Sequence, residues 1–194
     1  MHATARAALF AIFAGALIST ATALNATPIS ASKLKVDRGK VFFYVGAKFT
    51  KARFKKIRGF GKRVGGSVDM TSKQIKIDID TRDFSTRNRG RDKDMHEDVL
   101  ESSRHKIATF RGRILNYDSA TGNVKASGVI KVRGKEQKLT LEGRVKKTKT
   151  GWRLRVVFPL SLKAHGIKAP SNLFVLRVGD TVRVKVFLYL VPAG

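Results

Sequence analysis

Cysteine is absent from this chain of 194 residues. That absence excludes disulfides, thiolate nucleophiles, cysteine-based metal sites and a lipid attached through an N-terminal cysteine. Acids are scarce, with 14 Asp and Glu against 40 Lys and Arg. No G-x-S-x-G nucleophile motif occurs, and Gly59-Phe60-Gly61-Lys62 lacks the glycine spacing and the following Ser or Thr of a phosphate-binding loop. Histidine is limited to four residues, and His2 lies in the first few positions.

What is present begins with a secretion pattern. Arg6 is followed by an apolar run from Ala7 to Ile18 and then by Ser19 and Thr20. The run is too short to span a bilayer comfortably. Ala21-Thr22-Ala23 supplies an A-x-A cleavage signal, so residues 1–23 are expected to be a removable signal peptide and the mature protein periplasmic or secreted. Residues 24–33 form a flexible leader, and residues 34–194 are the size of one domain. Loss of Arg6 leaves 39 cations against 14 acids, a net +25. Such a surface is drawn to anionic lipid, lipopolysaccharide, cell-wall polymers or nucleic acid, with an affinity that falls with salt.

Strand patterns fill most of the domain. Lys40–Phe49 puts Val41, Phe43, Val45, Ala47 and Phe49 on one face, and Ser67–Met70 is a second strand. Gln74–Asp80 alternates Ile75, Ile77 and Ile79 with Lys76, Asp78 and Asp80. The pattern resumes over 107–115, 123–132, 137–147, 152–158 and 181–191, with turns at Asp118–Gly122, Gly134 and Lys149–Gly151. Thr50–Gly66 reads as a basic loop carrying Phe54, Ile57 and Phe60. These eight strands, with short turns and one long crossover, predict an all-β domain whose antiparallel sheet closes into a barrel. Its inward face holds Gly112, Ala126, Gly128 and Gly143, which either relieve curvature or leave a cavity open. An outer-membrane barrel would need the apolar set facing lipid and Lys, Arg and Asp packed inside; a greasy interior with a basic exterior fits better.

The crossover, Arg91–Phe110, interrupts this series. Met95, Val99 and Leu100 recur at helical spacing, which predicts a short helix over about 92–101. His96 stands four residues from Asp92, near Asp94 and Glu97, but no second histidine is at ligand spacing, so no metal site is assigned. Ser102 and Ser103 precede Arg104-His105, and adjacency in sequence is not triad geometry. No catalytic residue and no cofactor is assigned, and an enzyme is not expected.

The chain from about Leu34 to Val191 resembles the YceI-like family of exported polyisoprenoid-binding proteins. The resemblance is carried by Phe43, Phe49 and Val64-Gly65-Gly66-Ser67-Val68; by Arg91-Asp92-Lys93-Asp94-Met95 through Leu100 with Ala108-Thr109-Phe110; by Val132-Arg133-Gly134-Lys135 with Leu139-Thr140-Leu141; and by Val178-Gly179-Asp180-Thr181-Val182. Where the family commonly has Lys-Tyr-Pro, this chain has Arg104-His105-Lys106, and its Lys51–Lys62 segment is more basic than usual. The resemblance implies a lipocalin-like barrel around a long apolar ligand: a polyisoprenoid, a quinone or a similar amphiphile. Phe43, Val45, Ile77, Phe110, Ile130, Leu141, Trp152 and Val156 are the expected lining. Arg91, Lys55 and Arg58 are the expected head-group contacts. The crossover is then a lid that Arg91 and Asp92 hold in place. The alternative is a filled barrel serving as scaffold for a basic face that binds anionic polymers or an anionic membrane, using Phe54 and Phe60 between cations. Of these partners nucleic acid is the least expected.

Overall fold

A computed structural model describes residues 28–49, 54–168 and 176–194. The signal segment at 1–23 and the first residues of the leader lie outside the described residues. Among those described, the elements are β1 (Lys33–Phe49), β2 (Phe54–Gly61), β3 (Val64–Asp69), β4 (Gln74–Asp80), α1 (Arg89–Asp94), β5 (Ile107–Tyr117), β6 (Asn123–Val132), β7 (Lys135–Lys147), β8 (Trp152–Ser161) and β9 (Leu176–Pro192).

From β3 to β9 each strand pairs antiparallel with the next, and β1 pairs with β3 on one edge and β9 on the other. The expected eight-stranded barrel is therefore closed. Closure gives β3 and β9 each a second neighbour in β1. The seam between β1 and β9 runs from Leu34 opposite Pro192 to Phe49 opposite Leu176, with irregularities between Val36 and Arg38 and between Val45 and Ala47. The first of these exchanges the faces of β1. Leu34 and Val36 meet the core before it, Val41, Phe43 and Val45 after it.

β2 corrects the reading of Thr50–Gly66 as a loop. It pairs with β1 from Val41 opposite Gly61 to Lys48 opposite Phe54, above the three residues of β1 that pair with β3. Alternation fails to show it because its inward positions carry little side chain. Ile57 is followed inward by Gly59 and Gly61; a Cβ on Gly59 would lie 2.0 Å from the Phe43 ring, and one on Gly61 2.4 Å from the Phe84 ring. Two phenylalanines from elsewhere supply the apolar bulk that the strand lacks.

Inward residues of all eight barrel strands form one core, including Ile77, Phe110, Ile130, Val145, Val156 and Leu188. The floor is closed by the segment before β1. Ile29 and Ala31 pack against the core, and Trp152 Nε1 donates to the Pro28 carbonyl at 3.3 Å. The inward glycines of β5 and β6 make room for a ring rather than leaving the interior open. Gly112 and Gly128 face each other, and a Cβ on either would stand 2.8 Å from Phe110 Cζ.

A Cβ at residue 128 would also meet the Arg111 carbonyl oxygen at 2.4 Å, a backbone atom that cannot swing aside. Gly128→Ala is therefore expected to lower stability by about 2 kcal/mol. Urea unfolding checks this, and an unchanged midpoint would mean that the two strands part freely.

Candidate functional site

The strands enclose two apolar chambers. The larger, about 220 Å³, lies beneath the crossover, between β1, β9 and the C-terminal end of β8. The smaller, about 110 Å³, lies toward the floor, where Ile29, Leu34 and Leu190 reach it. Ile79, Ile130, Phe158 and Val186 line both and form the partition. For scale, an engineered cavity of about 150 Å³ holds one benzene.

The expected lining divides between the chambers. Phe43 and Val45 face the larger; Ile77, Phe110, Leu141 and Val156 face the smaller; Ile130 touches both. Trp152 faces neither, being buried at the floor with its indole N–H on Pro28. Of the expected head-group contacts, Arg91 lines the larger chamber. Arg58 is exposed, and its neighbour Ile57 takes the inward position, so strand alternation turns Arg58 outward. The side chain of Lys55 lies outside the described residues. Residues that the sequence reading had not singled out as lining include Thr81, Phe84, Thr86 and Asp94 around the mouth. The first three cluster just before the crossover helix, and Asp94 is its last residue.

The mouth owes its polarity to the segment between β4 and β5. Asn88 caps α1 by accepting from the Arg91 N–H at 2.9 Å. The helix then widens into a π-helical turn at Met95–Val99, a form of local expansion that recurs at functional sites. Met95 is buried, and with Val99 and Leu100 it projects into the larger chamber. One turn of 3-10 helix at Thr81–Asp83 anchors the other end. Thr81 is 2% exposed and its hydroxyl donates to the carbonyls of His105 and Lys106 at 2.8 and 3.0 Å, joining the entry of the crossover to its exit.

Between these anchors sits a polar lock. Asp92 accepts from Ser85 Oγ at 2.8 Å, from the Thr86 backbone N–H at 2.7 Å and from the Thr86 hydroxyl. Arg91 Nε donates to Thr86 Oγ1 at 2.8 Å and Nη2 to the Thr86 carbonyl at 3.1 Å. The two residues thus meet at Thr86. Burial opposes ionisation of Asp92, but the Thr86 hydroxyl and N–H, followed by the Ser85 hydroxyl and the nearby His96, hold its carboxyl below the usual aspartate range. Hydrogen bonding from Arg82 is the main reason that Asp80, at the base of the lid, is lowered to about 2.

His96 is held on both sides. Its Nε2 donates to the Phe84 carbonyl at 2.9 Å, and its Nδ1 lies 3.0 Å from Ser102 Oγ. Ser102 is 3% exposed. This arrangement ties the crossover to itself, and the buried hydroxyl has no face open to a substrate. Among the described residues no group of three or more His, Asp or Glu is placed to hold a metal ion. Arg104-His105-Lys106 lies beside the mouth, with Glu101 bonded to Arg133, 3.5 Å from Arg104 and 3.8 Å from His105.

An eight-stranded barrel with a two-chambered interior and a short crossover at one end can now be set beside known proteins. A profile of the YceI-like domain matches residues 30–190. The chain belongs to the YceI-like family. Among solved structures, the YceI-like chain is similar to a polyisoprenoid-binding domain from Saccharophagus degradans, with a TM-score of 0.60 and 14% identity over 81% of this chain and 99% of that one. It is also similar to BcnA of Burkholderia cenocepacia, with a TM-score of 0.56 and 15% identity over 75% and 94%. The YceI protein of Campylobacter jejuni gives a TM-score of 0.61 and 13% identity over 76% and 91%. At these identities the likeness is one of fold. Comparison with curated protein sequences finds no match.

Because the Asp80 and Asp92 carboxyls are lowered from 3.8 on folding, their contribution is complete above that value and is lost as pH falls through the lower folded values. The lid is therefore expected to open in acid before the barrel does. Asp92→Asn, which replaces a charged acceptor by a neutral one, should cost about 2 kcal/mol locally. Hydrogen exchange would show faster amides over 85–100 in the variant at neutral pH; protection as in the parent protein would remove Asp92 as the lock.

Proposed function

We propose that this protein is an exported carrier or sequestering protein that takes the tail of a long-chain amphiphile, such as a polyisoprenoid or quinone, into its barrel. The observation that carries the reading is the distribution of polarity. Both chambers are lined almost wholly by aliphatic and aromatic side chains, and the polar groups Thr81, Thr86, Arg91 and Asp94 gather at the lid end alone. A head group resting there would leave its tail pointing toward the floor. The polyisoprenoid-binding domain among the structural neighbours supports the same choice of ligand class.

Magnitudes agree with a tail bound by burial. Ten methylenes at about 0.8 kcal/mol each contribute roughly 8 kcal/mol, which corresponds to a dissociation constant of about a micromolar. The chambers at about 220 and 110 Å³ take a tail of modest length. A longer one requires Ile130 and Phe158 to rotate and join the two spaces. Met95, flexible and projecting from the lid, is the side chain best suited to yield on entry. Arg91 has guanidinium N–H groups beyond the two that Thr86 receives, and these suit an anionic or carbonyl head group.

Native mass spectrometry of protein purified from the cell envelope is expected to show a co-purifying lipid of mass consistent with an isoprenoid or quinone. Ile130→Trp, which fills the partition, should lower binding of a long-chain quinone at least tenfold while the protein remains folded by circular dichroism. Equal binding by the folded variant, or a purified barrel that takes up no apolar chain, would overturn the reading. Arg91→Gln is expected to weaken a phosphorylated isoprenoid by about tenfold, the loss of one charge-assisted contact, and to leave the matching alcohol unchanged.

A further inference from the structure

The outer surface of the barrel is not uniform in charge. On β4 to β7 the cations share their face with acids, as in Lys125 with Glu142 at 3.3 Å and Lys131 with Glu136 at 3.7 Å. On the other side the chain is almost without acids. β8 has none, β1 has only Asp37, and β9 has only Asp180, whose carboxylate is taken up at the strand end by the Ser161 hydroxyl and the Lys163 N–H. Among the described residues none of the exposed cations in the middle of this face has a carboxylate partner.

Register places aromatics between those cations. Phe187 lies between Arg155 of β8 and Lys40 of β1. Its ring meets Phe42 edge to face at 5.9 Å, and one residue pair further along Lys185 sits 4.9 Å from the Tyr44 ring. At the floor end Arg38 covers the Tyr189 ring at 4.6 Å. All four rings are half-buried.

From this face we infer that the outside of β8, β9 and β1 docks on an anionic lipid bilayer. Unpaired cations complement acidic head groups, each contributing roughly 1 kcal/mol near such a surface, and aromatic rings with one wet edge suit the interfacial layer. Nucleic acid is the poorer partner, since base stacking needs free ring faces and cations already cover those of Tyr44 and Tyr189. The same strands carry Val41, Phe43, Val184 and Val186 inward to the larger chamber. A bilayer on this face would therefore lie along the wall of that chamber. The docking does not depend on what fills the interior.

Co-sedimentation with vesicles tests it, using phosphatidylcholine alone and phosphatidylcholine mixed with phosphatidylglycerol. The protein is expected to bind only the mixed vesicles and to be released by salt. Replacing two cations of the face, Lys40→Gln with Arg155→Gln, should weaken binding about thirty-fold. Lys76→Gln with Lys138→Gln on the opposite side removes the same charge and should leave binding unchanged. Equal loss from both pairs would reduce the effect to net charge and overturn the proposal. So would vesicles being ignored while an oligonucleotide or heparin binds through Lys40 and Arg155, since the partner would then be a soluble polyanion. Phe42→Trp provides a measurement that needs no charge removed: its emission should shift to the blue with the mixed vesicles only, and an unmoved spectrum in sedimenting protein would place the contact elsewhere.

Discussion

The seam between β1 and β9 is the interaction on which the rest of the structure depends. These are the first and last strands of the domain, so closing the barrel joins ends separated by most of the chain, and the entropy of that closure must be met by a long ladder. Both strands run for 17 residues. Antiparallel pairing along that length satisfies the facing edges of both strands at once, and β2 continues the sheet from the other edge of β1. It also defines an inside, because only after closure do the apolar faces of β1 and β9 oppose those of β5 and β6 across a shared space.

An interior made in this way is awkward to fill. Eight strands give a barrel just wide enough for side chains or for one slender ligand, and the chain resolves the choice differently along its length. Toward the floor, Phe110 lies over Gly112 and Gly128, and Trp152 binds the segment before β1. Toward the lid, valines of β1 and β9 leave the larger space, and the bulk that could fill it belongs to Met95, Val99 and Leu100 of the crossover. Material in the crossover is held by hydrogen bonds to Thr86 and Thr81 rather than by a ladder, so it can leave at lower cost than a strand. Packing is thus firmer at the floor than beneath the crossover.

Alternation along Gln74–Asp80 and Asn123–Val132 made the barrel legible from residues alone, since every inward position there carries an apolar or small side chain. The method failed at β2 for a definite reason: Gly59 and Gly61 occupy its inward positions beneath rings contributed by Phe43 and Phe84. A strand whose apolar partner comes from another part of the chain leaves no local trace. Arg91 could be placed at the lid from its position beside Met95, whereas Arg58 could not be placed, because the face a residue takes depends on whether its segment is extended. Trp152 shows the opposite limit. Its inward position was readable, but periodicity gives no depth along the barrel axis, and at the floor an indole serves as a plug whose N–H needs the Pro28 carbonyl.

The excess of cations takes on a structural meaning through the same seam. Lysine and arginine are spread over the whole sequence, and no window of it distinguishes one side of the molecule from the other. Pairing β9 with β1 brings Lys185 beside Phe42 and Phe187 beside Lys40, residues about 145 positions apart, while the acids of β4 and β7 are carried to the far side. Each exchange is fixed by the bulge between Val36 and Arg38, since a register without it would turn Lys40 and Phe42 inward and Val41 and Phe43 to solvent. One inserted residue therefore decides both which side chains line the larger chamber and which cations face outward beside it.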